Sequence, residues 1–535
     1  MNISNAVNRL NFNSEDVQPE LIFGLVGPLG SDIDAVQDAL KRELQKVEYN
    51  VVDIHLTKDV VNVIPALKGM PTSTYQQKID LMNDLARFSQ KNDFLARVAI
   101  MMIATHRNRI NAVRSRETGE DYSKEQAEKT AFIIRQLKRP AEIALLNKVY
   151  GKKFIQISIA VSEEDQLQSV LNIIGRESPE FSQVKREEAA RRLIGQDREE
   201  TGVDYGQSTT NAHQSGDVFV AGRSKFIFTE IARFIDALFG SNYVSPTRDE
   251  FGSQLAKTAS LRTLDLSRQV GAAITTADGD VITLGCNEVP KAGGGSYWCD
   301  DDNPQRDMER GVEPNKLETN RIVNNFIHAL HNSDLLKKGP KEIFQDERFK
   351  DLLKDAFVSD LTEFGRITHA EMSALTDAAR LGLSTKGATI YVTTFPCHNC
   401  AKHLIAAGIK RIVYIEPYTK SKAFELSGDA LTTSKSDIGK VLVEHFVGIA
   451  PKRYQDIFEK KNKRRTDANV VNRWYARRPL PLVSDVSKAH LHVEETVKLE
   501  FPDVKKRVEH ELMRQALKLL QHVRNCCNHK VSHEQ

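Results

Sequence analysis

Residues 368–375 read Thr368-His369-Ala370-Glu371-Met372-Ser373-Ala374-Leu375, and residues 396–400 read Pro396-Cys397-His398-Asn399-Cys400. Each stretch begins a helical pattern. The run 388–393 between them is rich in β-branched residues, which is typical of a buried strand. The order of helix, strand and helix predicts an α/β domain in which the two helix N-termini lie near one point.

The side chains at these two helix starts are of the types that bind zinc. Two thiolates and one imidazole, from Cys397, Cys400 and His369, would give Zn²⁺ three protein ligands. The fourth tetrahedral position would stay open for water, as in a catalytic site. Glu371 lies two residues beyond His369, where it can accept and return protons without ligating the metal.

A Cys-x-x-Cys pair on its own can also be a structural zinc knuckle or a redox pair. The proline before Cys397, the His-x-Glu upstream and the helix-strand-helix context favour the catalytic interpretation. Cys286 and Cys299 could form a second metal pair, but no further ligands cluster around them in the sequence. Cys526 and Cys527 are adjacent, which makes them awkward joint ligands.

Composition indicates a multi-domain globular enzyme. The chain has 535 residues, which is too long for one ordinary core. Of these residues 40% are hydrophobic and 27% charged, as is typical of a globular protein. It has no apolar run near the ~20 residues that cross a bilayer and no export signal at its start, so we expect a cytoplasmic protein without a membrane segment. Six cysteines are too sparse for a disulfide framework.

A second α/β pattern occupies the N-terminal half. The apolar run 21–26 ends in Gly27-Pro28-Leu29-Gly30-Ser31-Asp32, a helical pattern follows, and another apolar run covers 50–54. This is the βαβ order of a parallel sheet. Gly27, Gly30 and Ser31 are candidates for a phosphate loop that lacks the usual lysine. Alternatively, Asp32 simply caps its own helix.

The remaining patterns complete the α/β prediction. Helices are predicted over about 74–150, and strands at 153–160 and near 218–220. The segment 241–247, with proline and small polar residues, predicts a domain boundary. A helix from 249 to about 268, a hairpin over 270–286 and a helical insertion to about 364 follow, and the hairpin turns at Asp278-Gly279-Asp280.

Two further motifs precede the metal ligands: Arg268-Gln269-Val270-Gly271-Ala272 and Gly285-Cys286-Asn287-Glu288-Val289-Pro290. Together with His369-Ala370-Glu371 and Pro-Cys-x-x-Cys, they resemble the deoxycytidylate branch of the cytidine/deoxycytidylate deaminase superfamily over about residues 255–430. The resemblance implies a zinc-dependent, α/β/α cytidine deaminase-like domain that hydrolyses dCTP, dCMP or both to dUTP or dUMP. It implies that Asn287 contacts the deoxyribose and Arg268 a phosphate, with Tyr418 and Lys420 as further contacts.

The sequence departs from this family at two positions beside Asn287. Cys286 stands where the family has tyrosine, and Glu288 where it has glycine. These two departures leave the details of sugar and phosphate recognition open.

The whole chain resembles the bacterial anti-phage dCTP/dCMP deaminases, which join a degenerate P-loop kinase-like domain to a C-terminal deaminase. On this resemblance residues 1–20 form a tail, 21–245 a regulatory P-loop-like parallel-sheet domain with a nucleotide as a candidate ligand, 250–480 the deaminase domain and 481–535 a helical appendage. The family acts in antiviral defence by draining the deoxycytidine nucleotide pool. The resemblance also suggests a regulatory small RNA and a homo-oligomer as partners.

Two other functions fit the sequence. A cytosine deaminase acting on single-stranded DNA or RNA would need a basic groove with stacking aromatic residues, and a net charge of +3 with 7% aromatic residues disfavours it. A catalytically silent regulatory protein with a deaminase fold is disfavoured because His369, Glu371, Cys397 and Cys400 are all present.

Overall fold

The computed structural model describes residues 18–200, 203–222, 225–460, 464–465, 468–471, 480–482 and 488–531. The chain divides into two compact units. The flanking unit comprises Met1–Thr247 and Val447–Gln535, and the central unit comprises Arg248–Phe446. In the described part of the chain, every helix is too short or too polar to cross a membrane.

The flanking unit is built on a mainly parallel sheet, which confirms the α/β prediction. Its strands, among the described residues, are β1 (Leu21–Val26), β2 (Asn50–His55), β3 (Thr130–Arg135), β4 (Phe154–Ala160), β5 (Val218–Ala221) and β12 (Gly448–Ile449). The sheet order is β12-β5-β4-β1-β3-β2, and only β12 is antiparallel to its neighbour. Every residue of β1 is buried, as expected for a central parallel strand covered on both faces.

Helices cover both faces of this sheet. The described helices of the flanking unit are Ile33–Lys46, Leu56–Val63, Tyr75–Ser89, Phe94–Thr118, Pro140–Tyr150, Glu163–Glu177, Gln183–Arg198, Thr209–Gln214, Ile227–Leu238, Pro451–Phe458 and Ala489–Val531, with short 3₁₀ helices at Pro65–Leu67 and Gly151–Lys153. The apolar side chains form separate core clusters on the two faces of the sheet. Strand β3 lies within the stretch 74–150, which the sequence patterns predicted to be helical, and it is a strand that those patterns did not indicate.

The ends of the units differ from the predicted domain ends. Gly448 pairs with Phe219 of β5, which places the segment after Phe446 in the flanking unit and not in the domain predicted to run to residue 480. The helix Ala489–Val531 is not a separate appendage, because Phe501 stacks on Phe94 at 6.3 Å within a core cluster of the flanking unit. A two-residue strand and a long-range helix contact leave no local periodicity to detect.

The central unit contains a second, mixed sheet. Its described strands are β6 (Gly271–Thr275), β7 (Val281–Cys286), β8 (Thr389–Thr394), β9 (Arg411–Glu416), β10 (Leu431–Thr432) and β11 (Val441–His445), in the order β10-β11-β9-β8-β6-β7. Strands β8 to β11 are parallel to one another, and β6 is antiparallel to both of its neighbours. The hairpin predicted over 270–286 is therefore present.

Helices of the central unit surround this sheet and fill the insertion after β7. Those described are Arg248–Ser260, Asp307–Arg310, Pro314–Asn332, Pro340–Gln345, Glu347–Asp355, Ala370–Arg380, His398–Ala406 and Ala423–Ser427, with a 3₁₀ helix at Phe357–Asp360. The helix Ala370–Arg380 lies directly on β7, because a Cβ atom on Gly285 would come within 2.2 Å of the Ala370 carbonyl oxygen. This close approach fixes the position of His369, which immediately precedes the helix.

Candidate metal centre

The three predicted zinc ligands lie together at two helix starts. His369 is the N-cap of the helix Ala370–Arg380, and Cys397 is the N-cap of the helix His398–Ala406. The Nδ1 atom of His369 lies 3.4 Å from the Sγ atom of Cys397 and 3.4 Å from that of Cys400. All three potential ligand atoms lie within 4.8 Å of one another.

These separations fit one tetrahedral zinc ion. Typical zinc–sulfur and zinc–nitrogen bonds at a tetrahedral angle place a sulfur and a nitrogen ligand about 3.6 Å apart. The observed separations of His369 Nδ1 from the two sulfur atoms, 3.4 Å each, are close to that value. Three ligands leave a tetrahedral ion one open position, the arrangement of a catalytic and not of a closed structural site.

The turn that carries the two cysteines is fixed by the backbone. Strand β8 ends at Thr394, and the next residue, Phe395, donates its N–H to the Glu416 carbonyl at 2.7 Å. The Ser421 hydroxyl then donates to the carbonyl of Pro396 at 2.7 Å. Because Cys397 follows directly, these bonds hold its sulfur at the carboxyl end of the parallel strands, where α/β proteins commonly place their sites.

Glu371 lies beside the metal ligands without being one of the three. It is the second residue of the helix Ala370–Arg380, and its side chain is almost wholly buried. Burial raises the pKa of Glu371 above the usual value for a glutamate. A carboxyl group with a raised pKa near an open metal position is suited to accept a proton and later return it.

The two thiols have different proton affinities. Hydrogen bonds from Cys400 and His369, opposed by burial, lower the pKa of Cys397 to about 4. The hydrogen bond between the cysteines and burial raise the pKa of Cys400. The pKa of His369 is raised mainly by its hydrogen bond with Cys397. Cys397 is thus the first thiolate of the pair, and a bound cation would displace the remaining proton from Cys400.

Asn287, predicted to contact the deoxyribose, organises the loop that precedes β6. Its amide nitrogen donates to the Asp265 carboxylate at 2.7 Å and to the Arg268 carbonyl at 2.8 Å. Its amide oxygen accepts the Val270 N–H at 2.7 Å. Both side-chain donors are therefore in use, and the amide oxygen retains one further acceptor position for a substrate hydroxyl.

Arg268 and Tyr418 lie together, whereas Lys420 is exposed. The guanidinium carbon of Arg268 lies 5.1 Å from the centre of the Tyr418 ring, within the range of a cation–π contact. Arg268 is exposed and Tyr418 half-buried, so the guanidinium edge can reach a phosphate while its face rests on the ring. The predicted phosphate contacts of Arg268, Tyr418 and Lys420 remain predictions.

The two departures from the family pattern have different surroundings. Glu288 is buried, and its carboxylate accepts the N–H of Leu264 at 3.0 Å, so it supports the same loop that carries Arg268. Cys286 is buried at the end of β7, and burial raises the pKa of its thiol. The sequence did not indicate the role of Glu288, because its partner lies 24 positions away.

The other cysteines do not form a second cluster within the described residues. Cys286 is buried and Cys299 is exposed, and the metal-ligand group found in that part of the chain is His369, Cys397 and Cys400. The side chains of Cys526 and Cys527 lie outside the described residues.

The predicted phosphate loop lies in the flanking unit between β1 and the helix Ile33–Lys46. Gly30 has a φ of +89°, the region that favours glycine. Asp32 caps the helix, since its carboxylate accepts the N–H of Ala35 at 3.1 Å. The structure thus shows the capping role that the sequence offered as an alternative for this turn, while phosphate binding by Gly27, Gly30 and Ser31 stays a prediction.

A carboxylate of the protein itself fills the inside of this loop. The N–H of Leu29 donates to Asp197 at 2.8 Å. The Lys138 ammonium donates to the other oxygen of Asp197 and to the Gly27 carbonyl, each at 2.7 Å. Asp197 is buried. Its carboxylate lies next to a backbone amide, that of Leu29, and to a lysine, Lys138, which is where a phosphate loop holds its anion.

The region that contains the candidate metal centre is similar to a family of known proteins. Residues 246–416 match the family described as the cytidine and deoxycytidylate deaminase zinc-binding region. His369, Glu371, Cys397 and Cys400 all lie inside the matched region.

Several curated proteins share part of this region. The deoxycytidylate deaminase of Enterobacteria phage T4 is 54% identical over 54 residues, which is 10% of this chain and 28% of that protein. ComE operon protein 2 of Bacillus subtilis is 41% identical over 81 residues, 15% of this chain and 43% of that protein. The deoxycytidylate deaminase of Pongo abelii is 24% identical over 166 residues, 31% of this chain and 63% of that protein. The chain spans less than two thirds of each.

Solved structures give a more distant likeness. The dCMP deaminase of cyanophage S-TIM5 in complex with dCMP and dUMP has 17% sequence identity and a TM-score of 0.22. That match covers 38% of this chain and 100% of the phage chain.

Proposed function

We propose that the central unit hydrolyses the exocyclic amino group of a deoxycytidine nucleotide, dCMP or dCTP, and releases ammonia and the deoxyuridine nucleotide. The observation that carries this proposal is the convergence of His369, Cys397 and Cys400 within 4.8 Å, with the buried carboxyl of Glu371 beside them. The shared region with deoxycytidylate deaminases supports the substrate class.

The three ligands would hold zinc, and the protein side chains would handle the protons. Bound zinc supplies Lewis acidity that lowers the pKa of water to near 7. Glu371 accepts the proton of the attacking water, delivers it to ring N3, and transfers a second proton to the departing amino group. Its burial keeps bulk water from exchanging these protons, and its raised pKa suits both roles.

The loop before β6 would bind the sugar and phosphate. Asn287 retains one acceptor position for the deoxyribose hydroxyl, and the exposed guanidinium of Arg268 is oriented by Tyr418 for a phosphate oxygen. Lys420, which is exposed on the segment after β9, adds a second cation to the proposed phosphate site.

A substrate panel tests the proposal. Purified full-length protein with zinc is incubated with dCMP, dCTP, CMP, cytidine and a single-stranded DNA containing cytosine, and uracil products are separated by chromatography. We expect conversion of dCMP, dCTP or both at rates far above the other substrates. Conversion of the oligonucleotide alone would establish the polynucleotide alternative. Lack of conversion in the zinc-loaded protein would mean that the site is silent or inhibited, which would contradict the proposed activity of the purified protein.

We further propose a role in antiviral defence by depletion of the deoxycytidine nucleotide pool, with the flanking unit as regulator. The resemblance to anti-phage dCTP/dCMP deaminases supports this role, as well as a regulatory small RNA and a homo-oligomer. The test compares phage-infected bacteria that express the chain or its Glu371→Gln variant. We expect a lower dCTP pool and fewer phage with the unaltered chain, and equal values in both would refute the role.

A further inference from the structure

The buried side chain of Glu288 lies between the two parts of the proposed active site. Glu288 follows Asn287 directly after β7, and it is 1% exposed. It belongs neither to the candidate metal ligands nor to the proposed substrate contacts. A carboxylate is costly to bury unless its oxygens are hydrogen-bonded. The partners of its two oxygens therefore indicate what this side chain does.

The carboxylate of Glu288 holds the loop that leads into β6. Its Oε2 atom accepts the N–H of Leu264 at 3.0 Å, and its Oε1 atom accepts the N–H of Val289 at 2.8 Å. Leu264 lies four residues before Arg268, in the irregular stretch 261–270. The Leu264 side chain is 40% exposed, so its packing adds little to hold this part of the chain. The bond to Glu288 is therefore an important restraint on the loop.

The backbone of Glu288 is bonded to the segment that carries the first metal ligand. The Glu288 N–H donates to the Thr368 carbonyl at 3.3 Å, and the Thr368 N–H donates to the Glu288 carbonyl at 3.1 Å. The two residues form an antiparallel bridge, and Thr368 immediately precedes His369. Glu288 is thus bonded through its backbone to the residue next to His369, and through its side chain to the loop that carries Arg268.

The guanidinium of Arg268 depends on this loop for its position. Its side chain is exposed, and the Tyr418 ring, 5.1 Å from the guanidinium carbon, supports one face of it. The distance of Arg268 from the metal ligands is set by its backbone. Asn287 binds the Arg268 carbonyl at 2.8 Å, and Glu288 binds Leu264 at the other end of the same short stretch. Two adjacent residues therefore hold both ends of 264–268.

From these contacts we propose that Glu288 is a positioning residue of the deamination reaction. It fixes the loop that carries Arg268 at a set distance from the metal ligand His369, and it does not touch the substrate. A nucleotide held by its phosphate at one end then presents its base to the metal centre at the other. Glycine, which the deoxycytidylate deaminase pattern has at this position, has no side chain to accept the Leu264 N–H. The inference rests on the proposed function.

Steady-state kinetics of the zinc-loaded full-length protein test this role with dCMP and with deoxycytidine, which lacks the phosphate. Glu288→Met keeps the length of the side chain and removes both acceptors. We expect it to raise the KM for dCMP about tenfold and to leave that for deoxycytidine nearly unchanged, because only dCMP uses Arg268. Glu288→Gln retains a carbonyl oxygen for the Leu264 N–H and should restore most of the affinity. Equal losses for both substrates in a folded Glu288→Met variant would overturn the role.

A double-variant cycle tests whether Glu288 acts through Arg268. In the Arg268→Ala background we expect Glu288→Met to change the KM for dCMP by less than about twofold, since the contact that Glu288 positions is already absent. A rise as large as that in the unaltered background would show that Glu288 acts independently of Arg268, and it would refute the proposal.

The matched control removes a carboxylate at the other edge of the same sheet. Asp249 accepts the Tyr391 hydroxyl at 2.9 Å and the guanidinium of Arg411, the first residue of β9, at 2.7 Å. We expect Asp249→Ala to lower the thermal stability of the protein and to leave the ratio of the two KM values unchanged. If it changed this ratio as Glu288→Met does, the ratio would report a general loosening of the unit, which would contradict a specific role of Glu288.

Native-state hydrogen exchange and zinc content separate this inference from the proposed function, because neither measurement needs turnover. In Glu288→Met we expect the amides of residues 264–268 to exchange at least about tenfold faster, with exchange in the helix Ala370–Arg380 and the zinc content unchanged. Unchanged exchange over 264–268 would refute the inference even if dCMP is deaminated. Absence of turnover in the unaltered protein would instead contradict the proposed function itself.

Discussion

The metal centre and the glycine loop have the same local structure but opposite chemistry. In both, a buried parallel strand ends, a short turn follows, and a helix begins at a residue whose side chain caps it. That residue is Cys397 after β8 and Asp32 after β1. At the candidate metal centre the capping thiol of Cys397 lies near the Cys400 thiol and the His369 imidazole. In the loop the capping group is the Asp32 carboxylate, which accepts an N–H of its own helix.

The difference lies in what occupies the space in front of each turn. The loop is filled by an anion of the protein itself, since the Asp197 carboxylate accepts hydrogen bonds from the Leu29 N–H and the Lys138 ammonium. The candidate metal centre places two thiols and an imidazole within 4.8 Å of one another. One strand-turn-helix pattern can therefore be closed by a carboxylate or left open for a cation, and side chains from distant segments decide which.

The largest expected effect separates proton transfer from metal binding at the candidate metal centre. We expect Glu371→Gln to lower dCMP turnover by roughly 10⁴-fold, because the proposed acid–base group is lost. Zinc content, measured by atomic absorption, should stay near that of the unaltered protein. Cys397→Ser is the counterpart, and we expect it to lose zinc along with activity. Zinc loss in Glu371→Gln would contradict the assignment of Glu371.

The next effect concerns the glycine loop after β1, which Asp197 fills. We expect Asp197→Ala to lower the free energy of opening of residues 21–32 by about 4 kcal/mol, because it leaves the buried Lys138 without its partner. Native-state hydrogen exchange measures this local opening. The variant Asp197→Asn retains an acceptor for the Leu29 N–H and should lose less. Equal losses in both variants would show that the charge of Asp197 does not matter.

The sequence indicated the metal centre and not the filling of the loop, and distance along the chain explains why. His369, Cys397 and Cys400 lie within 31 positions of one another, and each stands at a helix start that hydrophobic periodicity reveals. Asp197 lies 168 positions from Leu29, and Lys138 lies 111 positions from Gly27. A polar contact over such a separation leaves no local pattern.

The same reason applies to the fold. The βαβ order at 21–54 and the hairpin at 270–286 follow from local periodicity and turn residues, and the structure confirms both. Strand β3 is six residues long and follows a 25-residue helix, so its apolar residues continued the helical pattern. The helix Ala489–Val531 belongs to the flanking unit through buried side chains such as Val508, which the sequence alone could not assign to a partner.

Acid should affect the flanking unit through the residue just before β1. Glu20 is fully buried, and although burial raises its pKa, Arg107 and His490 lower it further, to about 2. Because the folded-state pKa lies below the unfolded value near 4.5, the stabilisation is complete above pH 4.5 and is lost as the pH falls toward 2. The shift corresponds to about 3 kcal/mol.

Unfolding by urea at a series of pH values measures this contribution. In Glu20→Gln we expect the free energy of unfolding of the flanking unit to lose this part of its pH dependence. Glu117→Gln, an exposed position on the helix Phe94–Thr118, should retain it. A Glu20→Gln variant with the full pH dependence would assign the acid sensitivity to other carboxylates.

The smallest effect tests whether the candidate metal centre has a dedicated phosphate contact in Arg268. We expect Arg268→Ala to raise the KM for dCMP roughly 30-fold, or about 2 kcal/mol, with kcat nearly unchanged, because a charge-assisted contact to the phosphate is lost in ground and transition states alike. Deoxycytidine, which has no phosphate, should be deaminated equally by both proteins. Arg321→Ala, an exposed arginine of the same unit paired with Glu318, is the control and should leave both substrates unaffected. An equal loss for dCMP and deoxycytidine in Arg268→Ala would mean that Arg268 maintains the loop held by Asn287 and does not contact the phosphate.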